Sequence, residues 1–103
     1  MIENLTSADF NNHLHTKFLI YYQPESSIEA ELIEVSERAS PPRQERFSLL
    51  LRGPLTPPLN DAVYRLEHEA MGSFELFLVP VEMDEAGIYY EAVFNRLRRE
   101  PRK

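Results

Sequence analysis

The chain has 103 residues, no cysteine and a formal net charge of −6. That length makes one domain, able to bury roughly two thirds of its unfolded surface. The missing cysteines exclude disulfides, thiolate metal sites and a cysteine nucleophile, and fit the reducing cytoplasm as the expected compartment. Residues 1–95 carry 16 acidic and 6 basic side chains, whereas residues 96–103 carry 5 basic and 1 acidic. An acidic body argues against broad nucleic-acid binding, which relies on Lys and Arg at phosphates.

In chain order, the opening Met1-Ile-Glu-Asn-Leu5 lacks a basic segment followed by an apolar run, so no secretory leader is expected. No apolar stretch approaches the roughly 18–20 residues of a membrane helix. Thr6-Ser7-Ala8-Asp9 opens the one short helix: Thr6 can cap it, and Asp9 sits at the third helical position, near the positive end of the dipole. Phe10 and Leu14 fall four apart on one face, and the helix ends by His15 or Thr16. So short a helix needs Leu5, Phe10 and Leu14 packed on a sheet to hold it.

Six strands are expected to follow. Lys17–Gln23 is the first. In the second, Ile28–Glu37, the apolar phase breaks at Leu32-Ile33, which predicts a β-bulge. A proline-containing loop spans Arg38–Glu45. The third strand, Arg46–Arg52, ends at Gly53-Pro54, and Leu55–Asp61, with Pro57-Pro58, is too proline-rich for a sheet interior. The fourth, Ala62–Glu69, sets Tyr64, Leu66 and His68 against Val63, Arg65 and Glu67.

The fifth and sixth form a hairpin within Ser73–Arg96, turning at Met83–Gly87. Pairing centred there sets Leu76 opposite Phe94, Leu78 opposite Ala92 and Pro80 opposite Tyr90. Pro80 demands an edge or a bulge. The other face of the hairpin carries Phe77, Val79, Val81, Tyr89 and Val93, interrupted by Glu75, Glu91 and Asn95. Two apolar faces predict cover on both, from a closed barrel with the helix against it or from another protein. The expected fold is mainly β: a small six-stranded antiparallel barrel or strongly curled sheet with one short N-terminal helix, which plugs one end or covers the hairpin. Residues 1–96 form the single domain and 97–103 a basic, disordered tail.

Motifs of chemistry are few. His68-Glu69 begins like HExxH, but Gly72 stands where the second histidine belongs. His13 and His15, two apart, diverge on a helix, and no metal or other cofactor is expected. The three glycines are too scattered for a phosphate loop, and Ser73 is not in a nucleophile elbow. Glu75 and Glu91 share a hairpin face and could do acid–base work, although pairing with Arg65 or Arg96 is the simpler role. The five tyrosines suit core positions or an interface better than base stacking, which wants basic neighbours.

Phe10, the strand after Lys17, Arg52-Gly-Pro, Tyr64-x-Leu-x-His68, Gly72-x-Phe-x-Leu-Phe-Leu-Val-Pro80-Val and Tyr90-Glu-Ala-Val-Phe-Asn95-Arg96 carry a resemblance over residues 5–96. The chain resembles a family of uncharacterised small bacterial proteins of this length. The resemblance implies an accessory or assembly role beside phage tail-collar-like proteins and assigns no activity. Two expectations result. One is a non-enzymatic interaction module that binds a protein partner or itself through Phe77, Val79, Val81, Tyr89 and Val93. The other is a small-ligand-binding or hydrolytic barrel using Glu75, Glu91, His68 and Tyr64.

Overall fold

A computed structural model describes residues 5–37 and 44–97. Its elements are α1 (Ser7–Asn11), β1 (Lys17–Gln23), β2 (Ser26–Glu37), β3 (Gln44–Gly53), β4 (Ala62–His68), β5 (Gly72–Asp84) and β6 (Gly87–Leu97). The strands form a closed antiparallel barrel in the order β1-β2-β3-β6-β5-β4. Closure rests on a short ladder between β1 and β4, Leu19–Glu67, Ile20–Leu66 and Tyr21–Arg65. No helix among the described residues is long and apolar enough to cross a membrane.

The local signals act where the chain places them. The β2 register shifts between Leu32 and Glu34, so Ile33 is the extra residue of the expected bulge. In β5 the register shifts between Pro80 and Glu82, and this bulge accommodates a proline that cannot donate to the ladder. Pro80 lies opposite Tyr90 as predicted, but the β5–β6 ladder starts at Val79–Glu91. The expected Leu76–Phe94 and Leu78–Ala92 pairs fall outside it; Leu76 and Leu78 lie opposite Tyr64 and Ala62 of β4. The third strand begins earlier than expected, at Gln44, because it pairs with β6 as far as Leu97. Leu97 thus belongs to β6 rather than to a tail; the remaining tail residues, 98–103, and loop residues 38–43 lie outside the described chain.

Alternation fills the barrel. Phe18, Ile20, Ile28, Ala30, Leu32, Phe47, Leu49, Leu51, Leu66, Phe74, Leu76, Leu78, Ile88, Tyr90, Ala92 and Phe94 point inward and are buried. The two ends are closed differently. At one end the Thr6 side chain accepts from the Asp9 N–H while the Thr6 N–H donates to Asp9, a complete capping box that holds the one-turn helix. Helix α1 thereby drops Phe10 onto the rings of Phe47, Phe74 and Phe94, with centroids 6.2, 5.9 and 5.7 Å away. Phe47 and Phe94 stack at 4.3 Å beneath it. The helix is therefore an end plug and leaves the hairpin's outer face alone. At the other end the linker after β3 turns Leu59 into the core, and the Leu59 N–H donates to the Tyr90 hydroxyl at 3.0 Å. A buried donor is satisfied there, as burial requires.

Candidate interaction face

With inward positions filled, the alternate positions of β4, β5 and β6 form an outer face. Val63 lies directly opposite Phe77, a spacing of roughly 5 Å between Cβ atoms. Val79 follows Phe77 on β5, opposite Glu91, and Val93 follows Glu91 on β6. Phe77 is 54 % exposed, Val93 58 % and Val63 61 %, and Val81, the extra residue of the β5 bulge, is exposed beyond them. Met83, also exposed, lies opposite the inward-facing Ile88 and so belongs to the other face of the hairpin. Single exposed apolar side chains need no explanation, but here Val63 pairs with Phe77, Val79 is next on the same face of β5, and Val93 is diagonal to Val79 across Glu91, so several share one outer face.

Of the five residues expected at an interface, Phe77, Val81 and Val93 are exposed, whereas Val79 and Tyr89 are half-buried. Tyr89 leans along the strand instead, its hydroxyl donating to Asp84 at 2.8 Å. That bond and the Ala86 N–H hold the Asp84 carboxyl below the usual range, and the same carboxylate pushes the Tyr89 phenol up. Sequence reasoning missed Val63. Val63 was legible as outward-facing, but its place beside Phe77 depends on the β4–β5 register. Met83 was assigned to the turn, which the structure restricts to Glu85 and Ala86 between the paired Asp84 and Gly87.

The charges around this face are mainly acidic. Glu75 and Glu82 are exposed beside Phe77 and Val81, and Glu91 is half-buried between Val79 and Val93. Arg65 lies opposite Glu75 in the ladder but turns away from it. Its Nη1 donates to Glu67 at 2.6 Å and its guanidinium stacks 3.9 Å from the Tyr21 ring centroid. Bonds from Arg65 and Tyr21 hold the Glu67 carboxyl below the usual range. The expected Arg65 partner is thus Glu67 and not Glu75. The Arg96 side chain lies outside the described residues. Arg46, opposite Asn95, supplies a cation at the β3 corner of the face.

The four residues of the alternative reading do not converge. Glu75 and Glu91 alternate with buried neighbours and point outward, while Tyr64 and His68 belong to the inner phase of β4. Tyr64 donates to the Asn60 carbonyl near the linker end, and burial raises its phenol pKa. His68, four residues on and roughly 13 Å along the strand, lies at the plug end. A recess of about 370 Å³ beside it is lined by Lys17, Leu19, Glu29, Glu67 and Ser73 and takes in none of the other three. Both ring nitrogens of His68 are already engaged: Nδ1 accepts the N–H groups of Ala70 and Met71 at 3.0 and 3.1 Å, and Nε2 lies 2.8 Å from the Thr16 hydroxyl. Among the described residues no three His, Asp or Glu side chains converge as a metal site needs.

No curated protein and no solved structure gives a significant match to this chain. A family match runs over residues 5–94, from the residue before the capping box to the Phe94 ring beneath the plug. The chain therefore belongs to the family described as Domain of unknown function (DUF6916).

Proposed function

We propose that the chain is a non-enzymatic protein-interaction module, an accessory or assembly factor that docks a larger structural protein through the outer face of β4, β5 and β6. The observation that carries this reading is the exposed Val63–Phe77 pair, extended by Val81 and Val93, on a barrel whose interior is lined by buried apolar side chains. Its acidic margin, Glu75 and Glu82, favours a basic occupant. A second copy packed face to face about a two-fold axis would bring carboxylates toward carboxylates. A partner with an apolar centre and a Lys/Arg rim gains at both places. A structural protein of a tail-like particle, the partner implied by the family resemblance, is the proposed setting.

Two synthetic amphipathic helical peptides test this reading, one with a Leu face flanked by Lys and one with the same face flanked by Glu. The Lys peptide should bind more tightly by tenfold or more, weaken with salt, and lose binding to Phe77→Asp, which should stay a folded monomer. Equal binding of both peptides would remove the charge argument and leave the apolar one. Absence of binding to either, with Phe77→Asp unfolded, would make the face part of the core and overturn the reading.

A further inference from the structure

The groups around His68 form a closed circuit that the docking face does not use. A backbone N–H can only donate, so the Ala70 and Met71 N–H groups fix Nδ1 of His68 as an unprotonated acceptor. The ring proton then sits on Nε2 and is donated to the Thr16 hydroxyl, which donates in turn to the His13 carbonyl at 2.6 Å. One neutral imidazole therefore joins two separate segments, the β4–β5 turn and the α1–β1 loop. The turn carries Met71 against the core, and the loop carries Leu14 and leads back to the Phe10 plug.

We propose that His68 is an acid-sensitive latch that holds the plug end of the barrel shut. A proton added at Nδ1 would face two N–H donors, so the closed circuit excludes the imidazolium. Protonation is accommodated by opening, in which the turn swings free and the loop loses its anchor at Thr16.

The surrounding groups favour this sign. The His13 ring packs edge-on to His68 at 4.8 Å and Phe18 lies against it at 4.3 Å, so one neighbour is a potential like charge and the other apolar. Glu69, in the turn, opposes them by favouring the cation. The other ionisable groups nearby are committed elsewhere: His15 to Glu31 at 3.2 Å, Lys17 to Glu29 at 3.8 Å and Glu67 to Arg65. Burial first and His13 second lower the His68 pKa below its ordinary 6.5. The latch is therefore fully closed above about pH 6.5, and its hold declines as pH falls from there toward the folded value.

Amide exchange on the intact chain, corrected for the intrinsic rate at each pH, tests the latch. If only the open form takes up the proton, the opening constant rises up to about 30-fold between about pH 8 and about pH 5. Protection of the Ala70 and Met71 amides should fall tenfold or more, and that of the His15 and Thr16 amides with it, relative to the β3–β6 ladder. His68→Asn keeps a carboxamide acceptor for the turn and cannot titrate, so its protection should be independent of pH. Constant protection in the wild type, an equal fall in His68→Asn, or loosening of the turn without the loop would each overturn the proposal. Should His68→Asn fail to fold, the ¹⁵N shifts of His68 at about pH 8 decide: a proton found on Nδ1 refutes the latch.

Discussion

Phe74 and Phe77 are three residues apart on the same strand and face opposite ways, which makes them a matched pair for separating core from the proposed docking face. Phe74 is 7 % exposed and packs on the rings of Phe10 and Phe18. Truncating a ring so enclosed costs about 3–5 kcal/mol. Phe77 keeps 54 % of its surface in water. A fully buried Phe removes about 200 Å², so Phe77 removes roughly half of that, ~2.5 kcal/mol at most at 25 cal/mol/Å². Allowing for the retained Cβ and a partly collapsed unfolded chain leaves about 1–2 kcal/mol. For a domain of this size each kcal/mol moves Tm by roughly 4–8 °C. Phe74→Ala should therefore lower Tm by on the order of 20 °C and Phe77→Ala by on the order of 10 °C, as read by thermal circular dichroism. Equal losses would mean that Phe77 is core-like, and the exposure on which the docking face rests would be wrong.

The remaining predictions concern the opposite end of the barrel and the hairpin turn. Tyr90→Phe keeps the buried ring but strands the Leu59 N–H without its acceptor, which should cost about 1–3 kcal/mol in urea unfolding; a change below about 0.5 kcal/mol would show that the linker does not depend on this bond. Gly87 adopts φ 153°, and a Cβ there would run into the Gly53 carbonyl oxygen. Gly87→Ala should therefore destabilise by on the order of 3 kcal/mol or more. Gly72 has φ 85° but open space around it, so Gly72→Ala should cost only about 1 kcal/mol. Similar midpoints for the two glycine variants would refute the close approach of the hairpin turn to the end of β3.

Much of the fold was legible because its signals are local. The phase break at Leu32-Ile33 and the proline at position 80 each mark a bulge that the strands contain, and Thr6 with Asp9 announces the cap that aims Phe10. Strand order was not legible. The β3–β6 and β1–β4 pairings join segments distant in sequence, and nothing in Arg52 or Tyr89 says that they lie opposite one another. The site divides in the same way. Alternation put Phe77, Val79 and Val93 on one face, but only the β4–β5 register adds Val63 to it, and only tertiary proximity turns Arg65 toward Tyr21 rather than Glu75. For His68 the sequence offered an incomplete HExxH and a place in the ligand-binding alternative; its two-sided circuit needs Thr16, 52 residues away in the chain.

The proposed function holds only if the outer face of β4, β5 and β6 is open in the free chain and left for a different protein. Light scattering across a tenfold dilution tests it most directly. A constant mass near 12.1 kDa, unchanged by Val93→Asp, is the predicted result. A dimer that dissociates on dilution and is abolished by Phe77→Asp would contradict the claim, because a second copy of the chain would then be the occupant of that face.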